Sequence, residues 1–144
     1  MLNISKSVIV PYTAAQIYAL VSDIDNYQNY LPWCPSSKII KEEHNKIVGR
    51  VDVGSAKIHV HFTTLNSNIP NERIDMQLVD GPFRHFQGHW LFSPLDSIGC
   101  KIEFKLEYKF SNLIIEKIVG AAFELAIKNI VDTFIKKAHE VYCK

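Results

Sequence analysis

The sequence predicts an α+β domain in which an antiparallel sheet, wet on one face, is covered on the other by a long C-terminal helix. Three observations carry this. From Ile115 to Val141 apolar residues recur at helical spacing (Val119, Phe123, Ala126, Ile127, Ile130, Phe134, Ala138), while Glu124, Lys128, Asp132, Lys136 and Glu140 fall four apart on the opposite side. Between Ser37 and Phe110 the period changes to two. It is clearest where Cys100, Ile102, Phe104, Leu106, Tyr108 and Phe110 alternate with Lys101, Glu103, Lys105, Glu107 and Lys109. Finally, 144 residues that are 47% hydrophobic and 22% charged suffice for one core, and neither repeats nor a linker divide residues 1–144.

The elements follow in order. Ile4–Val10 reads as a strand ended by Pro11. Thr13 can cap the next helix, with Gln16 at its third position and Tyr12 and Ile17 as a hydrophobic staple. Asp25 with Gln28 is a second capping candidate, opening a short helix with Tyr27 and Tyr30 that stops at Leu31-Pro32. Lys38–Glu43 and Lys46–Val53 form a hairpin with Glu43-His44-Asn45 as the turn. Lys57–Leu65 places Ile58, Val60 and Phe62 on one face and His59 and His61 on the other; residues 66–71 read as a polar loop. Ile74, Met76 and Leu78 then alternate with polar residues up to the Asp80-Gly81-Pro82 turn, after which Phe86, Gly88, Trp90 and Phe92 oppose His85, Gln87 and His89. The final helix is expected as one piece from Leu113 to Tyr142, about 45 Å long. Its exposed face offers Glu124–Lys128, Asp132–Lys136 and Glu140–Lys144 as acid-before-base pairs.

Several function classes are excluded or disfavoured. The formal net charge of +1 gives no global basic field, and DNA is not an expected partner. No apolar run reaches the roughly 18 residues of a membrane span. Three distant cysteines without a C-x-x-C pair argue against a disulfide framework or thiolate zinc site and for a reducing compartment. There is no nucleophile elbow, phosphate-binding glycine loop or pair of inward carboxylates, so no enzyme is expected. The His59/His61 and His85/His89 pairs lie on the wet face of different strands, too few at one point for a metal.

The inward face is rich in aromatics. Core packing accounts for each singly; as a set on a curved sheet gripping one helix, they suggest an apolar hollow. Gly120, inside the helix at a cost of about 1 kcal/mol relative to alanine, reads either as close packing or as a point that lets the helix shift.

Three stretches are more specific: Val10-Pro11-Tyr12, Leu31-Pro32-Trp33-Cys34-Pro35, and Leu78-Val79-Asp80-Gly81-Pro82-Phe83 followed by Trp90-Leu91-Phe92-Ser93-Pro94. As an ordered set they resemble the coenzyme Q-binding START-domain family, and within it the bacterial ribosome-association toxin branch. The resemblance covers nearly the whole chain. It implies a helix-grip fold, seven antiparallel strands around the C-terminal helix, with a lipid-sized cavity between them. It also implies a non-catalytic carrier or chaperone of ubiquinone or a related polyprenyl quinone, supporting respiration without a cofactor of its own. For such a ligand the expected walls are Trp33, Phe62, Met76, Leu78, Phe86, Trp90 and Phe104, with Val119, Phe123 and Ile127 closing from the helix and Phe83 at the mouth. Tyr27, Tyr30 and Trp33 read either as membrane contacts or as packing under the helix end. The alternative implied by the resemblance is a toxin that binds the large ribosomal subunit and inhibits translation initiation; Lys38, Lys41 and Lys46 form a modest cluster suited to phosphate, and Lys136-Lys137 another. The eukaryotic members' organelle-targeting extension is missing here, which points to the bacterial cytoplasm, at the periphery of the inner membrane for a quinone carrier.

Overall fold

The computed structural model describes residues 1–143; the expected Glu140–Lys144 pair lies outside the described residues. Strands β1 (Leu2–Val10), β2 (Ser37–Glu43), β3 (Lys46–Gly54), β4 (His59–Ile69), β5 (Arg73–Asp80), β6 (Phe83–Leu95) and β7 (Gly99–Phe110) form one antiparallel sheet in the order β1-β7-β6-β5-β4-β3-β2. Successive strands from β2 to β7 pair as neighbours, and β1 closes the far edge against β7. Helix α1 (Ala14–Ser22), a 3₁₀ turn (Ile24–Asn26) and the single turn α2 (Tyr27–Tyr30) lie between β1 and β2. Helices α3 (Leu113–Lys128) and α4 (Ile130–Tyr142) follow β7 and cover the inner face. This is the expected α+β helix-grip architecture.

The start of α1 forms as its sequence dictates. Gln16 N donates to Thr13 Oγ1 at 3.1 Å and Thr13 N donates to Gln16 Oε1 at 2.9 Å, while Tyr12 and Ile17 are buried as the staple. Asp25 does not cap a helix. Its carboxylate instead accepts from Ile39 N at 2.6 Å, tying the 3₁₀ turn to edge strand β2. α2 ends where expected, with Leu31 already extended (φ −85, ψ 117) ahead of Pro32.

Several expectations are refined or corrected. β4 does not stop at Leu65 but runs to Ile69, so Asn66 and Asn68 belong to the strand rather than a loop. Their backbone groups are paired on both sides, by β3 and β5, and a ladder satisfied on two edges outweighs the poor strand preference of asparagine. Ile58, expected at the start of that strand's inward face, lies outside it and is half exposed. The C-terminal helix spans the expected length with a one-residue interruption at Asn129 (φ −101, ψ 3), and the bond from Thr133 N to the Asn129 carbonyl at 3.0 Å carries the chain on into α4. There Asn129 Nδ2 donates to the carbonyl of Leu125 at 2.9 Å, the local competition that makes asparagine a weak residue inside helices. Glu124–Lys128 forms at 3.2 Å, but Asp132 turns away from Lys136 and pairs with Lys6 of β1 at 2.9 Å, pinning α4 to the sheet edge.

Candidate functional site: the grip interior and its rim

The interior is built from rings. Phe83, at the start of β6, sits among Phe110 (4.8 Å between centroids), Phe86 (5.1 Å), Phe123 (5.3 Å) and Phe62 (5.5 Å). A second group joins Trp90 to Phe104 (4.6 Å) and to Phe134 of α4 (5.6 Å). Phe62, Phe83, Phe86, Trp90, Phe104, Val119, Phe123 and Ile127 are therefore brought together in one core, with Met76 and Leu78 half-buried against it. Trp33 joins them from the α2–β2 loop, its Nε1 donating to Thr133 Oγ1 at 3.2 Å. Aromatic side chains thus fill the centre of the space expected to be hollow. Phe83 is at the middle of that packing, not at the mouth; it follows the turn closely enough for its ring to fold inward.

Of the two readings of the aromatics near α2, the structure shows the packing one for Tyr27 and Trp33. Trp33 is only 8% exposed, and Tyr27 packs edge-on to Phe134 (5.4 Å) while its hydroxyl donates to the carbonyl of Val21. Lys137 lies 4.8 Å from the ring centre of Tyr30. These rings are drawn into the core because the α2–β2 loop folds under α4.

Open space lies at the rim. A recess of about 440 Å³ is bounded by His59, Val60 and Pro82 on the sheet side and Ile115, Ile118 and Val119 on α3. Another of about 360 Å³ lies between Trp33, Gly54, Leu125 and Thr133. A third, of about 800 Å³, is on the opposite, outer face of the sheet, where Arg73, Asp75, His89, Lys105 and Glu107 line it. Beside the first recess α3 has an unusual surface. Ile114, Ile118, Ala121 and Leu125 share one outward stripe at helical spacing and stand exposed, Ile114 at 72%, Ile118 at 62% and Leu125 at 64%. α3 thus carries an exposed apolar stripe besides its buried one, with Lys117, Glu124 and Lys128 alongside.

Several polar groups stand among the rings. Tyr108 Oη is fully buried without a partner, and burial, helped by the fields of Glu124 and Glu116, pushes the phenol up to about 12. On β4, Thr64 Oγ1 donates to Asn66 Oδ1 at 2.8 Å, and Asn68 Oδ1 is buried without a partner. Sequence reasoning missed this ladder, though Thr64, Asn66 and Asn68 keep the period of Val60 and Phe62. Cys34 is buried beside the rings, and loss of water raises its thiol to about 11. The histidines are divided: His59 lies 3.4 Å from Asp52 and His85 lies 3.4 Å from Glu107. Among the described residues, no three metal-ligating side chains converge.

A seven-stranded antiparallel sheet closed on a C-terminal helical arm defines the START-like helix-grip class. Residues 10–135 match the family described as polyketide cyclase / dehydrase and lipid transport, and the chain belongs to that family. It is 42% identical, over 99% of its length and 90% of the relative's, to the ribosome association toxin RatA of Escherichia coli strain K12. It is 27% identical to the mitochondrial coenzyme Q-binding protein COQ10 homolog B of Xenopus laevis, over 96% of this chain and 58% of that one. The Zhui aromatase/cyclase from Streptomyces sp. R1128 superposes with a TM-score of 0.80 over 96% of this chain and 93% of its own. At 16% identity that similarity shows the fold alone. None of the described helices is long and apolar enough to cross a membrane.

Proposed function

We propose that the protein binds a hydrophobic ligand, ubiquinone or a related polyprenyl quinone, between the sheet and α3, and carries or chaperones it without chemistry of its own. The observation that carries this reading is α3. Its inner face closes a ring-lined interior, its outer side carries an exposed apolar stripe beside the Glu124–Lys128 pair, and a recess opens along it at Gly81-Pro82. The interruption at Asn129 marks where α3 meets α4, and α4 carries an ion pair from Asp132 to Lys6 of β1, so on this reading the interior opens by a tilt of α3 about that point. The rings that fill the closed interior are then the walls of the opened one. An insoluble isoprenoid resides in a bilayer, and the stripe from Ile114 to Leu125 is suited to contact one transiently beside the recess. The interior oxygens and amides of Tyr108, Thr64, Asn66 and Asn68 orient a ligand but do not exchange protons near neutral pH, which fits a binder better than a cyclase. The test is transfer: protein mixed with ubiquinone-loaded vesicles, the vesicles then removed by flotation. About one quinone per protein left in solution is expected, and none would end this reading.

A second reading is favoured by the relative named as a ribosome association toxin, 42% identical to this chain. Its partner would be the large ribosomal subunit. The basic side chains Lys38, Lys41 and Lys46 lie on the β2–β3 hairpin at the sheet edge, where Lys41 is partly compensated by Glu43 at 3.6 Å. Reversing all three to glutamate is expected to release the protein from large subunits in sucrose-gradient sedimentation; unchanged co-sedimentation would remove this patch.

A further inference from the structure

Along β7 the inward positions Cys100, Ile102, Phe104, Leu106, Tyr108 and Phe110 bring a single side-chain oxygen into the core, the hydroxyl of Tyr108. Its ring is held edge-on by Phe123 (4.9 Å), Phe110 (5.8 Å) and Phe83 (6.2 Å), so the phenol is fixed in direction. The oxygen is wholly buried and accepts and donates nothing. A hydroxyl in this position is destabilising, and phenylalanine would fill the same volume without that cost. The carboxylates whose fields reach it, Glu124 and Glu116, flank Gly120 at four-residue spacing on α3. At Gly120 an added methyl would make only an ordinary contact, with Glu116 Cγ at 3.5 Å. The same carboxylates disfavour the phenolate, which keeps the group a donor.

We propose that Tyr108 anchors the head group of the ligand: its hydroxyl donates a hydrogen bond to a carbonyl oxygen on a ring lodged between β7 and α3 near Gly120. This rests on the hydrophobic-ligand reading above and makes it specific. The site would take carbonyl-bearing rings, quinones above all, in preference to an isoprenoid hydrocarbon of the same length. An unpaired donor in a dry site distinguishes ligands strongly, because a ligand lacking the acceptor leaves the donor unsatisfied.

The experiment compares wild-type protein with Tyr108→Phe, using ubiquinone and squalene as probes, and records the carbonyl stretch of bound quinone by infrared difference spectroscopy. Tyr108→Phe is expected to keep or raise the melting temperature and to bind squalene unchanged. It should bind quinone roughly tenfold more weakly, the equivalent of one hydrogen bond, and shift the carbonyl stretch back toward its value in hydrocarbon. Equal quinone affinity in the two proteins would overturn the anchor, as would an equal loss for quinone and squalene, which would mean packing alone. Wild-type protein that binds neither probe would instead refute the hydrophobic-ligand reading on which the anchor rests.

Discussion

At Gly81 the backbone has φ +148, and an added Cβ would come 2.6 Å from Phe62 Cβ. Gly81→Ala therefore combines left-handed strain with a clash against a core ring, and is expected to lower stability by about 2–3 kcal/mol, read from the urea midpoint. The thiols show the same sensitivity to position. Cys143 is exposed, whereas Cys34 and Cys100 are buried. One thiol in three should react rapidly with a disulfide reagent at pH 8, the other two only on unfolding; three fast thiols would show an interior open to water. Cys34 ionises at about 11 in the folded chain against an ordinary 9.0, and Tyr108 at about 12 against 10.0. The unfolded chain thus releases these protons first as pH rises. The stability they support is complete below pH 9 and is lost through pH 9–11 for Cys34 and pH 10–12 for Tyr108. Urea midpoints that stay level from pH 9 to 11 would contradict this.

Among the elements, the two C-terminal helices divide the labour by their outer faces. α4 turns charge outward and is pinned by Asp132, while α3 turns Ile114, Ile118 and Leu125 outward and buries Phe123 completely. Phe123→Ala should cost about 3–5 kcal/mol, the usual loss for a truncated core phenylalanine. Ile118→Ser should change stability by no more than about 0.5 kcal/mol and yet slow quinone uptake from vesicles severalfold. Uptake at the wild-type rate would show that the stripe is not the entry face. The helix period of this region was plain in the sequence; its break was not, because Asn129 keeps the spacing and only its side-chain bond to Leu125 shows the interruption. β4 was misread for a related reason. Thr64, Asn66 and Asn68 look like loop residues one at a time, and only the two flanking strands make them a ladder.

For the whole molecule, alternation in β7 and the capping box of α1 made both the fold class and the start of the first helix legible. The candidate site was legible as a set of residues but not as a shape. Phe62, Phe83, Phe86, Trp90, Phe104 and Phe123 do meet, and whether they enclose a void depends on how far each ring turns inward, which period cannot reveal. Phe83 illustrates this, being adjacent to the rim in sequence and central in space. By period alone Tyr108 is one more apolar position on its strand, since its unpaired oxygen emerges only when every neighbour is placed. The central claim is that the grip holds an isoprenoid quinone. It is tested most directly by purifying the protein from its own cells without detergent, extracting it with organic solvent, and comparing the extract with that of a denatured control by mass spectrometry. The account predicts a polyprenyl quinone at close to one per protein, reduced to background in a folded Phe86→Asp variant. Folded wild-type protein that yields no quinone and cannot be loaded with one would contradict it.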